Sequence, residues 1–316
     1  MKQHSFNIFY ELIRVPHNKS PSVAFFIAIK TMNNIFSISE PKKFVSLHPM
    51  KNICHISLII LSIIILGGCS GQEKLLKSTD YEAKFKAAVQ YYDEQRYSRA
   101  RQLFENLSLY YRGSEHSEDI SWYYGKCLIE AGYYYNAAYQ FKSFTKRFPY
   151  SSRAEEAAFL CAYCKYMDSP AYTLDQSITK DAIVELEQFT ERYPQSTHIP
   201  EANEYLDQLR YKLMQKDYEI AVGYYNTESY RAAVVSLTQF LSNYPDSPRR
   251  EDAMYYIIKA GYEYAINSRE DKMKERLLQV VNNFDKFATT FKQSKHLNEC
   301  QDIYTKCKAV LATMEN

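Results

Sequence analysis

Cys161-x-x-Cys164 has the spacing of a redox pair, or of half a zinc site. It sits inside "EEAAFLCAYCKYM", a helical stretch with no second pair and no histidine close by. Two core cysteines are therefore expected. Cys300 and Cys307 share one helix face about 10 Å apart, too far for a mutual disulfide. Beyond Cys69 the thiols are Cys127, Cys161, Cys164, Cys300 and Cys307, an odd set that implies no disulfide framework. His116, His198 and His296 each stand two residues after a serine that recurs along the chain. Equivalent places in separate repeats do not converge, so no metal and no catalytic centre is expected of them. The chain has no nucleophile elbow, phosphate-binding loop or HExxH pattern. No enzyme activity and no cofactor are expected.

The elements that must position these residues follow from composition and punctuation. The chain has 316 residues and a net charge of +2, which leaves no electrostatic footprint for nucleic acid. It carries only 8 glycines and 10 prolines against 30 tyrosines, which favours long helices over strands and turns. One ending returns three times: Phe141-x-x-Phe144-x-x-x-Phe148-Pro149-x-Ser151, Leu186-x-x-Phe189-x-x-x-Tyr193-Pro194-x-Ser196 and Leu237-x-x-Phe240-x-x-x-Tyr244-Pro245-x-Ser247. Two copies lack the proline, ending at Arg112-x-Ser114 and Lys292-x-Ser294. Apolar residues at these offsets line one helix face. The proline stops the helix. Ser152-x-x-Glu155 then reads as a capping box, and Ser247-Pro248 as an N-cap followed by proline.

Upstream of each ending lies a small residue within an aromatic-rich helix. Gly125, Ala137, Phe141, Phe144 and Pro149 fall at the offsets of a tetratricopeptide repeat, as do Ala221, Tyr224, Ala233, Leu237, Phe240 and Pro245. Ala88, Tyr91, Ala100, Phe104 and Leu107 fit a first copy. The third copy carries extra residues around Asp168 to Thr179. The fifth has an insertion between Gly261 and Val280. Each helix pair cannot bury its stripe alone, so stacking is required. The expected fold is all-α: an α-solenoid of about five tetratricopeptide-like helix pairs over 79–314, closed by a capping helix from about His296 to Met314. Pro200 to Asn226 has no break and should form one helix about 40 Å long.

The N-terminal part has a different character. In "MKNICHISLIILSIIILGGCSG", Lys51 precedes an apolar run from Ile56 to Leu66, then Leu66-Gly67-Gly68-Cys69. This is the order of a secretory signal, 50–68, and the run is short of the roughly 18–20 residues needed to cross a bilayer. Leu-Gly-Gly-Cys resembles the lipobox of bacterial lipoproteins. The resemblance implies acylation of Cys69 as the first mature residue, a tether at 69–78, and outer-membrane sorting from Ser70. One acyl chain anchors only marginally, and bacterial lipoproteins carry more than one. Residues 1–49 are then an upstream extension, with translation expected to start at Met50.

The segment "YLDQLRYKLMQKDYEIAVGYYNTESYRAAVVSLTQFLSNYPDSPRREDAMYYIIKAGYEY" joins the long helix to "A-x-x-Y-Y" at Tyr225, "Y-x-A-A-V" at Tyr230 to Val234, and "YPDS". With "LDQ" at Leu174 to Gln176, it resembles the BamD family, lipoproteins of the outer-membrane β-barrel assembly machine. The similarity covers about Cys69 to Ile266. It implies a scaffold, lipid-anchored at the periplasmic face of the outer membrane. It implies that repeats in the C-terminal half, 197–314, bind a BamA-like barrel subunit, and that the N-terminal repeats, 79–196, receive unfolded outer-membrane proteins. Tetratricopeptide groove positions would be Phe85, Val89 and Tyr92 in the first repeat, and Trp122, Lys126 and Ile129 in the second. The same residues would serve equally well as packing between helices. A repeat lipoprotein tied to cell-wall synthesis or envelope division would share the anchor and the repeats. Arg249-Arg250 places like charge at a helix start, which opposes the helix dipole and suggests an acidic partner.

Overall fold

The computed structural model describes residues 72–314 except Arg112 and Ser114. The signal sequence, Cys69, the start at Met50 and the extension 1–49 lie outside the described residues, as does the Arg112-x-Ser114 ending. Residues 72–77 are helical, and Leu75 and Leu76 pack on the first core cluster, so this part of the expected tether is docked. Eleven further helices follow among the described residues: α1 Tyr81–Asp93, α2 Tyr97–Tyr110, α3 Ser117–Glu130, α4 Tyr134–Arg147, α5 Ala154–Asp168, α6 Ser177–Arg192, α7 Ile199–Asn226, α8 Tyr230–Asn243, α9 Arg250–Ile266, α10 Glu270–Thr290 and α11 Leu297–Thr313. They pack in chain order as five antiparallel pairs and a final single helix, and first helices of successive pairs also touch. The α-solenoid reading holds. No helix among the described residues is long and apolar enough to cross a membrane.

The recurring ending is a double turn. Phe148, Tyr193, Tyr244 and Phe291 each donate their N–H to the carbonyl four residues back, closing α4, α6, α8 and α10. Three residues on, the serine N–H reaches back to that aromatic's carbonyl at 3.0–3.1 Å. The serine carbonyl then accepts from Ala154, Ile199, Arg250 or Leu297, opening the next helix. Proline at the second place pre-sets such a turn. The copy with Lys292 makes the same bonds, so proline favours the turn without being required.

Neither Ser152 nor the recurring serine caps the helix as the sequence suggested. The N-caps are Arg153, His198, Arg249 and His296, two residues further on. Ser151, Ser196, Ser247 and Ser294 instead accept the N–H of those N-cap residues through Oγ, at 3.0–3.2 Å. The serine is occupied in the turn, which leaves the N-cap side chain free to reach elsewhere.

Within a pair, small residues let the helices cross closely. A Cβ built on Gly125 would lie 2.7 Å from Phe141 Cζ, closer than atoms tolerate. One on Gly261 would lie 3.0 Å from Val280. The long α7 runs 28 residues, and its buried side chains Leu206, Leu209, Met214, Tyr218 and Ala221 pass from the third cluster of core residues to the fourth.

Candidate functional site

Five N-cap side chains meet five aromatic rings. His116 stacks on Phe85 at 4.8 Å between centroids, His198 on Phe159 at 4.1 Å, and His296 on Tyr255 at 3.9 Å. Arg153 lies 5.5 Å over Trp122, and Arg249 lies 5.4 Å over Tyr218. The planar cation or imidazole of one pair thus covers the first helix of the pair before it. The three histidines occupy separate junctions. Among the described residues no cluster of histidine, cysteine or acid is placed to hold a metal.

Acids complete these junctions. Arg153 Nη1 is 2.5 Å from Asp119, and His296 Nε2 is 3.2 Å from Asp252. Ser151 donates to Glu118 at 2.7 Å, and Ser294 donates to Glu251 at 2.6 Å. The hydrogen bond from Arg153 to Asp119 holds the guanidinium pKa above its ordinary value, against the effect of burial. Arg249 and Arg250 find partners within the chain: Arg249 is 3.6 Å from Asp252, and Arg250 donates to the Pro245 carbonyl at 2.8 Å. The charge clash at this helix start is met internally.

A second polar cluster ties the second pair to the third. Glu185 on α6 is buried and accepts hydrogen bonds from Lys142 on α4 and from Lys165 on α5, the latter at 2.9 Å. Burial pushes this carboxyl up, yet the two lysines outweigh burial and hold it below the usual glutamate range. A charge on the apolar stripe Ala182, Leu186, Phe189 was the signal in the sequence. It was missed because one acid in a charged helix stands out only once the stripe is known.

The six groove positions fall into two clusters. Phe85, Val89 and Tyr92 are half-buried in the core of the first pair, where Phe85 meets Phe104 edge-on and Tyr92 meets Tyr123 at 5.0 Å. Burial pushes the Tyr92 hydroxyl up to about 12. Trp122 is 8% exposed, wedged against Phe141 and Phe144 and covered by Arg153. Ile129 is half-buried in that same cluster. Lys126 sits 5.8 Å over the Trp122 ring and 3.9 Å from Glu156. As placed, Trp122 is a junction residue with little surface left for a peptide. Cys127, Cys161, Cys164, Cys300 and Cys307 are free and buried, and burial pushes the first four thiols up to about 12 and Cys307 to about 11. Such thiols are inert packing groups at neutral pH.

The family model for YfiO, an outer membrane lipoprotein, matches residues 78–277. The chain belongs to this family. Its matched stretch takes in every junction from Phe85–His116 to Tyr218–Arg249. A curated relative, the outer membrane protein assembly factor BamD of Buchnera aphidicola subsp. Acyrthosiphon pisum (strain APS), is 26% identical over 107 residues. That alignment covers 34% of this chain and 44% of the relative, so the chain matches less than half of that protein's length. The resemblance read from the long helix and "YPDS" is borne out. Among solved structures, the tetratricopeptide domain of P58(IPK) aligns over 76% of this chain and 68% of its own, with a TM-score of 0.35 and 12% identity.

Proposed function

We propose that the chain is a non-catalytic scaffold subunit of the outer-membrane β-barrel assembly machine. The family match over residues 78–277 carries this reading, and a relative named as an assembly factor supports it. On this reading Cys69 bears the lipid anchor, and the signal sequence 50–68 directs export. Residues 79–314 then stand at the periplasmic face of the outer membrane. The repeats at 197–314 bind a BamA-like barrel subunit, and those at 79–196 receive unfolded outer-membrane proteins. The physical support is that stacked helix pairs present a long, repeated surface made of neighbouring elements only. Of the groove positions, Phe85, Val89, Tyr92, Lys126 and Ile129 keep partial exposure and remain candidates, and the Trp122 ring lies beneath Lys126. Depleting the protein should lower many β-barrel outer-membrane proteins together within a few generations. Normal barrel levels with altered wall synthesis would reject the proposal. Cys69→Ser should abolish incorporation of labelled palmitate.

A further inference from the structure

Between the end of α5, the loop 169–176 and the middle of α7 lies a cleft of about 560 Å³, which the proposed function does not use. Its volume is in the range of ligand sites, about 300–1,000 Å³. Tyr166, Tyr172, Tyr211, Lys212, Gln215 and Arg249 are among its lining residues. Three needs are left open there.

The first is apolar. Met167, Tyr172 and Tyr211 remain 39%, 36% and 51% exposed, while Tyr166 is fixed by stacking on Tyr205 at 4.1 Å and by donating to Gln208. The cleft therefore has one rigid aromatic wall and further ring surface that the protein itself does not cover. The second is electrostatic. The lining contains Lys212 and Arg249 and no carboxylate. Arg249 is shared with Tyr218 and Asp252, but among the described residues the partners of Lys212 Nζ are neutral, Ser169 Oγ at 2.6 Å and the Ser169 carbonyl at 3.3 Å. Burial pulls the Lys212 pKa below its ordinary value. A partly desolvated cation with no carboxylate beside it favours an anion there. The third is a missing donor. Gln215 Oε1 is buried and accepts no hydrogen bond among the described residues. Its Nε2 donates to Glu219 at 2.6 Å, which fixes the amide, because the reverse orientation would set two acceptors together. Lys212 and Gln215 are three residues apart on α7, which puts them side by side on one helix face with Cβ atoms about 5–6 Å apart.

We propose that this cleft docks an acidic, extended peptide segment of a partner protein. A side-chain carboxylate meets Lys212, an adjacent backbone N–H meets Gln215 Oε1, and a neighbouring large apolar side chain lies on the Tyr172–Tyr211 wall. One strand of peptide supplies all three groups within a few residues, which an inorganic anion does not.

The test is fluorescence anisotropy of the full chain with a labelled peptide, Ser-Phe-Asp-Leu-Ser, amidated at its C-terminus. Saturable binding is expected, weakened about tenfold when asparagine replaces the aspartate. Lys212→Gln should weaken the aspartate peptide by a similar factor and leave the asparagine peptide unchanged, a coupling that a merely misfolded variant would not give. Tyr211→Ala, with helicity checked by circular dichroism, should weaken both. Equal binding of the two peptides, or no saturable binding, overturns the proposal. So does preferential binding of Ser-Leu-Ser-Phe with a free C-terminal carboxylate, which would assign the cleft to chain ends instead.

Discussion

The junction between α3 and α5 and the junction between α9 and α11 are built to one plan from different residues. In the first, Ser151 bonds Glu118, Arg153 pairs with Asp119 over Trp122, and Lys126 faces Glu156. In the second, Ser294 bonds Glu251, His296 pairs with Asp252 over Tyr255, and Lys259 faces Glu299 at 2.8 Å. Seven positions correspond one to one. The shared parts are the serine turn, the acid pair and the lysine–glutamate pair. The exchangeable parts are the ring and the planar group on it. The fold thus needs a flat, nitrogen-bearing side chain at the N-cap and is indifferent to whether it is guanidinium or imidazole. The tyrosine junction gains a hydroxyl, which accepts from Lys259 at 2.9 Å and donates to Glu299 at 2.8 Å. The tryptophan junction gains the buried Glu185 cluster beside it instead.

The largest effect should come from removing the core ring beneath one junction and not the other. Phe141→Ala empties a fully buried site under Trp122 and should cost about 3–5 kcal/mol by urea unfolding. Because each pair contacts mainly its neighbours, amide exchange should quicken around Trp122 and Arg153 while Tyr255 and His296 keep their protection. Equal loosening at both ends would break the comparison.

Next comes the cluster that only the α3–α5 region has. Glu185→Gln leaves Lys142 and Lys165 facing each other without their shared anion and should cost about 2–3 kcal/mol. The Glu185 pKa is depressed in the folded chain. Its stabilisation is therefore complete above the ordinary glutamate pKa and is lost as pH falls through the lowered folded value. The variant should show a shallower loss of stability in acid than the parent, read from thermal melts across pH 3–6.

Smaller still is the planar group itself. Arg153→Ala and His296→Ala should each cost about 1 kcal/mol, since both side chains are partly exposed and their contacts are of ion-pair and ring-stacking strength. Arg153→His should recover most of that loss if the position is truly interchangeable. The smallest change is a gain away from any junction. A Cβ on Gly223 meets nothing within 4 Å, so Gly223→Ala should raise stability by about 0.5–1 kcal/mol. The same change at Gly125 should instead destabilise, because Phe141 fills the space.

Much of this fold was legible in the sequence. The apolar offsets of Phe141, Phe144 and Phe148 gave the helix face and its end, and the unbroken run from Pro200 gave α7. The small residues Gly125 and Gly261 marked close crossings, because a missing Cβ leaves a pattern in sequence. The junctions were not legible. Ser152 looked like a cap because serine is a common cap, and only the turn geometry shows Arg153 at that place with its N–H held by Ser151 Oγ. His116, His198 and His296 were seen to share a register, but their ring partners lie 31–41 residues upstream on another pair, beyond any local pattern. The cleft at Lys212 was hidden for the same reason: Tyr166 and Tyr211 line one cleft although they lie 45 residues apart in the chain.

The central claim is that this repeat unit serves barrel assembly. The most direct measurement is isolation of the protein from membranes after gentle crosslinking, with its partners identified by mass spectrometry. The account predicts recovery of a large outer-membrane β-barrel protein with repeated periplasmic domains, lost when residues 197–314 are deleted. Recovery of wall synthases in its place would contradict it.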